Sequence, residues 1–253
     1  MWRAPEWLAR AKRWLPETVA PLRVRVWLRS ETAWDDYDGV TIEGALQFVI
    51  VARESGLMPD DAFDGAPRDF FADIPVPIAD DESSGRRIAC ASWAIPAAPI
   101  ATVRKVRRRT RIELFPTPGG KGLLVIGGGP YKNTEIPVAT LATPYVDFFV
   151  RGDRDKLAEL VRDVGSIGKS RGGGLGAIHG VEIDDDPDDR SLIFCARPQR
   201  SIPVASAEQA VALFEAGSYD LREANTRAPY WHRATRTLCA VPVMMGWRDE
   251  CAD

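Results

Sequence analysis

Hydrophobic positions recur with two different periods along the chain, and the switches between them mark its elements. Leu22, Val24, Val26 and Leu28 alternate with Arg23, Arg25, Trp27 and Arg29, the period of two that puts one set of side chains on each face of a strand. Ile42, Leu46, Val49 and Ile50 then follow at helical spacing, which predicts a helix over 42–55 that Gly56 stops. Ahead of the strand, Trp7, Leu8, Ala11, Trp14 and Leu15 share one helix face with basic residues between them. Residues 5–15 are therefore predicted as a short amphipathic helix that Pro16 ends. A helix that packs its tryptophans on the domain fits this pattern, and so does one that offers Trp2, Trp7 and Trp14 to a partner.

Further along, residues 57–87 carry Pro59, Pro67, Pro75 and Pro77 among many carboxylates without EF-hand spacing, and read as an irregular, acidic insertion. Segments 88–95, 100–115 and 122–126 have strand character and are separated by Pro and Gly. Tyr145 to Val150 is an apolar strand. Asp153 then stands where a helix N-cap belongs, and Leu157, Leu160, Val161 and Val164 give that helix one buried face. A glycine-rich stretch from Gly165 to Gly176 precedes strands at 177–183 and 191–195, with an acidic turn at 184–189 between them. A helix near 205–216 and a strand at 237–243 close the pattern, which is that of an α+β protein.

The 253 residues, 45% apolar and 27% charged, have the composition of an ordinary globular protein and exclude disorder or a collagen-like chain. Cys90, Cys195, Cys239 and Cys251 form no CxxC pair and have no His at ligand spacing, so neither a metal nor a cofactor is expected. No stretch approaches the roughly 18 apolar residues of a membrane span, and residues 1–15 lack the apolar core of a signal peptide. A cytoplasmic protein with no membrane partner is the expectation.

Charge changes the picture only when read by position. The net charge is −3, but 27 of the 33 cations are Arg and 6 are Lys. Arg suits bidentate phosphate contacts and stacking on bases, although a GC-rich genome would give the same excess. Acidic residues gather at 35–38, 60–82 and 184–189, while cations gather in three places. The first is the strand face of Arg23, Arg25, Trp27 and Arg29, suited to a phosphate backbone and a stacked base. The second is Arg104, Lys105, Arg107, Arg108, Arg109 and Arg111, six cations in eight residues, which repel one another unless an anion neutralises them; Lys121 and Lys132 follow among glycines. The third is the loop Gly168, Lys169, Ser170, Arg171, Gly172, Gly173, Gly174 and Gly176. One cationic side suited to a nucleic acid and an acidic remainder are expected.

The loop is not a nucleotide-hydrolysing P-loop. That motif needs a Gly five positions before Gly168-Lys169, where Asp163 stands, and it needs a strand before and a helix after. Nor is it a dinucleotide fingerprint, since the third glycine counted from Gly174 and Gly176 falls on His179. What remains is a loop whose backbone N–H groups can approach an extended anion, with Lys169 and Arg171 adding charge.

Ile167-Gly-Lys-Ser-Arg-Gly-Gly-Gly-Leu-Gly-Ala-Ile178, after an amphipathic helix and before a strand, resembles the glycine-rich loop of the RAMP superfamily, the RNA-binding proteins of CRISPR effector complexes. The strand, loop and helix at 22–56 resemble the beginning of a RAMP unit. By length and by segments 134–150 and Ala228-Pro-Tyr-Trp-His232, the chain is most similar to the Cas-five-like subunit of type IV systems, which caps the 5′ handle of the crRNA.

The resemblance implies a ferredoxin-like (RRM-like) core within a single domain over 20–245, preceded by the helix of residues 1–16 and followed by a tail at 246–253. It also implies a β-rich, thumb-like insertion around 88–132 that carries the basic run, and a handle-binding loop at Gly168 to Gly176. The implied partners are the crRNA 5′ handle, Cas-seven-like backbone subunits, the large subunit of the effector complex and, further, target DNA. The implied role is non-catalytic. The alternative is a metal-independent endoribonuclease that uses His179 or His232 as general acid or base; no Lys or Tyr stands at a spacing that fixes a catalytic pair, and in type IV systems a separate Cas-six-like subunit is expected to process the crRNA.

Overall fold

A computed structural model of the protein describes residues 5–34, 39–56, 74–108, 134–168, 174–227 and 236–243, with Arg107, Arg108 and Thr134 described by their backbone alone. It is a mixed α+β structure of antiparallel sheets with few helices.

The alternating pattern forms β1 (Ala20–Leu28), the inner strand of the main sheet. β8 (Tyr145–Gly152) and β9 (Ile178–Asp185) lie antiparallel on its two sides, and β5 (Ile95–Pro96) pairs with β8, giving the order β5-β8-β1-β9. The register sets Val150, Phe148 and Val146 of β8 beside Leu22, Val24 and Val26, and Ile183 and Val181 of β9 beside Val24 and Val26. One sheet face is thereby a continuous apolar surface, and α2 (Ile42–Ser55) and α3 (Arg154–Val161) close the core over it. The chain passes from β1 through α2 towards β5, and from β8 through α3 to β9.

α2 has the bounds that its periodicity predicts. Gly56 ends it at φ +70°, its N–H donating to the Ala52 carbonyl at 3.1 Å, which is the left-handed cap that glycine adopts without a Cβ penalty. Ile42, Leu46 and Ile50 are fully buried, each worth about 1.5–3 kcal/mol of transfer free energy. That outweighs the modest helix propensity of the branched residues. Asp153 caps α3 as expected, its carboxylate accepting from the Lys156 N–H at 3.2 Å. The same carboxylate also accepts the N–H groups of Glu17 at 3.0 Å and Thr18 at 3.3 Å, so one buried side chain joins the approach to β1 to the start of α3. Burial opposes its ionisation, but these N–H donors outweigh that and hold its pKa below the usual carboxylate value.

The amphipathic N-terminal segment is α1 (Glu6–Ala11) followed by a 3₁₀ turn at Lys12–Trp14. Trp7 and Trp14 are buried. Trp14 Nε1 donates to Glu54 Oε1 at 2.9 Å, and Arg13 pairs with the same carboxylate at 2.8 Å. The tryptophans therefore pack on the domain through α2, and Trp7 and Trp14 are not offered to a partner; Trp2 lies outside the described residues.

Two further units stand on this core. β6 (Ile100–Arg108) and β7 (Thr134–Ala142) form a nine-pair antiparallel ribbon, joined to the rest through β2 (Thr32–Ala33), which pairs with β7. The ribbon buries little: Ile100 is 64% exposed, Val103 72% and Ile136 49%. Within the segments expected to be irregular or continuous strand, short pairings appear instead. β3 (Asp80–Asp81) meets β4 (Ile88–Ala89), and β10 (Ile193–Phe194) turns back onto β11 (Arg197–Pro198).

The last unit is a three-stranded sheet ordered β12 (Ile202–Pro203), β14 (Thr237–Pro242), β13 (Tyr219–Ala224), with α4 (Ala207–Leu213) against it. β13 was not signalled by the pattern of Tyr219-Asp-Leu-Arg-Glu-Ala224, because only Ala224 is buried along it. Arg200 is fully buried where this unit meets the core. It donates to Glu43 Oε2 of α2 at 3.1 Å, to the Ala91 carbonyl at 2.9 Å, to the Thr226 carbonyl at 2.5 Å and to the Ala89 carbonyl.

Candidate nucleic-acid interface

The outer face of the main sheet carries the first predicted cluster. Its Arg side chains are not free cations. Arg25 makes a bidentate pair with Asp147 of β8, both contacts at 2.8 Å, and this bonding raises its pKa further. Arg23 pairs with Asp184 of β9 at 2.6 Å, and its hydrogen bond depresses the pKa of that carboxyl. Arg29 donates to the Ile178 carbonyl at 3.2 and 3.1 Å. The register is the cause: Arg23 stands directly across from Asp184, and Arg25 lies between Asp147 and Glu182. Such opposite-charge pairs stabilise adjacent strands. The expected separation of signs therefore fails on this sheet, where each Arg of β1 is answered by an oxygen from a neighbouring strand.

Trp27 lies at the same end of that face. Its ring is 4.9 Å from that of Tyr145 at an interplanar angle of 60°, and the Arg25 guanidinium sits 3.9 Å from the Tyr145 centroid. Tyr145 was missed as a site residue because the run Tyr145 to Val150 reads as plain core. Its role shows only in the alternation, which sends Val146, Phe148 and Val150 inward and Tyr145 and Asp147 outward.

The glycine-rich loop has a built neck. Ile167 N–H donates to the Gly176 carbonyl at 2.9 Å and Ile178 N–H to the Gly165 carbonyl at 3.1 Å, closing its two sides on each other. Gly176 N–H donates to the Glu31 carbonyl at 2.7 Å, Ala177 N–H to Ser30 Oγ at 2.9 Å, and Arg29 N–H to the Ala177 carbonyl at 2.9 Å. The neck is thus docked on the chain just past the end of β1. Two of its glycines have structural reasons to be glycine. Gly176, at φ +66°, has no room for a Cβ, which would overlap the Ile167 carbonyl; Gly168, at φ +80°, would place one 2.6 Å from Thr32 Oγ1. Gly174 lies in open space at φ +79°. Lys169, Ser170, Arg171, Gly172 and Gly173 lie outside the described residues.

The basic run begins on β6. Arg104 and Lys105 are exposed there, Lys105 with a loose contact to Glu135 at 3.7 Å. Arg104 has no carboxylate partner among the described residues. Arg107 and Arg108 continue the strand backbone, and Arg109, Arg111, Lys121 and Lys132 lie outside the described residues.

His179 is exposed on β9, where the pairing with β1 shifts between Trp27 and Leu28. Among the described residues no carboxylate, Lys or Tyr hydrogen-bonds it; His232 lies outside them. Among the described residues, too, no group of three His, Cys, Asp or Glu could hold a metal ion, and no helix is long and apolar enough to cross a membrane. Cys90 and Cys239 are buried, and desolvation pushes each thiol up to about 11, so neither is a reactive thiolate at neutral pH.

Residues 120–242 match the family model described as CRISPR type IV associated protein Csf3. The likeness to a type IV CRISPR-associated protein holds over that stretch, which runs from the glycines before β7 through the loop neck to the end of β14. No curated protein matches the chain. Among solved structures, the chain is similar to one in the cryo-EM structure of the type III-B Cmr-beta bound to cognate target RNA, with 10% identity and a TM-score of 0.32. The match covers 66% of this chain and 61% of that one, so this chain spans less than two thirds of its neighbour's length.

Proposed function

We propose, from the type IV CRISPR-associated character of residues 120–242, that the protein is a non-catalytic crRNA-binding subunit of a CRISPR ribonucleoprotein effector complex. In this reading it caps the 5′ handle and abuts a Cas-seven-like backbone subunit, with the large subunit and target DNA as further partners. The observation that carries the reading is the family match, because the matched stretch contains the glycine-rich loop and both sides of its neck.

The fold supports it. A strand order of β9-β1-β8-β5, with α2 and α3 as the two helical connections, is the order expected of a ferredoxin-like core. The β6–β7 ribbon fits the thumb-like insertion: it carries Arg104 and Lys105 exposed, with Glu135 only in loose contact with Lys105, and buries little of its surface. Lys169, Ser170 and Arg171, which the sequence places between the two sides of the hydrogen-bonded neck, are residue types suited to a phosphate backbone. We read the role as non-catalytic because acid–base cleavage needs a positioned pair of groups, and among the described residues no carboxylate, Lys or Tyr hydrogen-bonds His179.

The test is to purify the protein with its complex and with handle RNA. Handle binding without turnover in EDTA is expected, weakened when Arg107, Arg108 and Arg109 are changed to Glu. Normal binding by that triple variant at physiological salt would defeat the phosphate-contact reading, since such contacts respond steeply to charge and ionic strength. Site-specific cleavage that disappears in His179→Ala or His232→Ala would replace it with the nuclease reading.

A further inference from the structure

The charge pairing on the main sheet carries a consequence for what that face can bind. We infer that the loop-proximal end of the outer sheet face is a stacking site for a single unpaired RNA base, built on Trp27 and braced by Tyr145, Arg25 and Asp147. The inference rests on the RNA-binding reading and assigns this face a role different from that of the basic run and the loop.

First, the face is close to neutral where Trp27 lies. Arg25 is held in a bidentate pair with Asp147, and Arg29 is turned back to the Ile178 carbonyl. A phosphate would have to displace a carboxylate from Arg25, whereas a base needs no net charge, only a π surface and polar edges. Secondly, the aromatic pair is pre-organised. The Arg25 guanidinium covers Tyr145 at 3.9 Å, and Tyr145 meets Trp27 at 4.9 Å with tilted rings, so both are oriented before any ligand arrives. Pre-set side chains lower the ordering cost of binding. Thirdly, the residue across from Trp27 on β9 is Gly180, and a Cβ placed there would lie 3.9 Å from Trp27 Cδ1. That flank of the indole is left open although a larger side chain would fit in ordinary contact. Finally, Trp27 is two residues from Arg29, whose N–H holds the loop neck. A strand whose backbone follows the loop can therefore lay one base on the sheet without a long excursion.

The chemistry also separates this surface from the ribbon. Ile100, Val103 and Ile136 are aliphatic and offer a base no π face, whereas Trp27 and Tyr145 do.

The experiment titrates the full-length protein with a labelled oligouridine and with an abasic ribose-phosphate strand of the same length, across a salt series. The expected result is tighter binding of the oligouridine. Trp27→Ala should lower oligouridine affinity by about 5- to 150-fold, the range seen for loss of one base–aromatic stack, with the salt slope unchanged and abasic binding unaffected. Gly180→Leu guards against misfolding, because a Cβ there meets only Trp27 Cδ1, at an ordinary contact distance of 3.9 Å; the longer side chain should cover Trp27 and reproduce the loss. Normal oligouridine binding by either variant overturns the stacking site. If Arg104→Glu/Lys105→Glu still weakens both strands in that case, RNA binding stands without the stack. A wild-type protein that binds neither strand overturns the stack and the RNA-binding reading together.

Discussion

β1 and β6 are both strands lined with arginine, and they differ in everything around the arginines. On β1, Asp184 and Asp147 hold Arg23 and Arg25 within a half-buried sheet face, and just past its end the exposed Arg29 donates to the Ile178 carbonyl. On β6, Arg104 and Lys105 stand on an exposed ribbon, Lys105 in loose contact with Glu135 at 3.7 Å and Arg104 with no carboxylate partner among the described residues. A cation that a neighbouring strand neutralises contributes to folding and register. One left uncompensated on a ribbon with little core beneath it is available to an anion. Both strands are rich in Arg, but β1 confines its cations to one face whereas the adjacent Arg104 and Lys105 put cations on both faces of β6; the pattern and the neighbours together decide.

The comparison can be broken by moving outward from the most buried cation. Arg200, fully buried against Glu43 and three carbonyls, is the extreme case. Arg200→Met removes the cation that faces the buried Glu43 carboxylate and the donor to three carbonyls, and is expected to cost about 3–5 kcal/mol, read as a large drop in denaturant midpoint. A wild-type midpoint would mean that the C-terminal unit is not held through this residue. Arg25→Ala removes a bidentate partner from a mostly buried Asp147 and should cost about 1–3 kcal/mol; a neutral result would place Arg25 with the ribbon cations.

Asp153→Ala, which removes a helix cap, should cost about 0.5–2 kcal/mol, and it carries a pH signature. Its folded-state pKa lies below the ordinary 3.8, so the stability it supplies is complete above that value and is lost as the pH falls through the folded pKa. Acid titration of unfolding should show the wild type losing stability below about pH 4, and the variant losing less across the same window. Arg104→Glu/Lys105→Glu should leave the melting temperature unchanged within replicate scatter while reducing the magnitude of the salt slope of RNA binding by about 0.7 per lost phosphate contact. A melting shift as large as that of Arg25→Ala would erase the distinction between the strands.

Much of the scaffold was legible residue by residue. The alternation at Leu22 to Leu28, the helical spacing at Ile42 to Ile50 with Gly56 behind it, and Asp153 ahead of Leu157 are local signals, and each forms the element it predicts. The candidate site was legible in part. The glycine-rich loop could be found and its P-loop and dinucleotide readings rejected from spacing alone, but not the division of labour among its glycines, because Gly168 and Gly176 owe their identity to Thr32 and Ile167. Tyr145 and Gly180 could not be chosen, since only the register places both beside Trp27. β13 escaped because a strand with one buried residue has no apolar rhythm to read.

Periods, caps, breakers and clusters of charge are properties of neighbouring residues along the chain, and these the sequence determined by itself: an α+β protein, its principal strands and helices, and a glycine-rich loop between α3 and β9. Which cations are neutralised, which tryptophans are core and which face of the sheet is aromatic depended on residues far apart in the chain, such as Arg25 and Asp147, Arg23 and Asp184, or Trp14 and Glu54. Those pairings exist only once strand order and register are set. A one-residue slip in either would turn every side chain on the strand to the opposite face, so the charge of that surface was a decision of the tertiary structure.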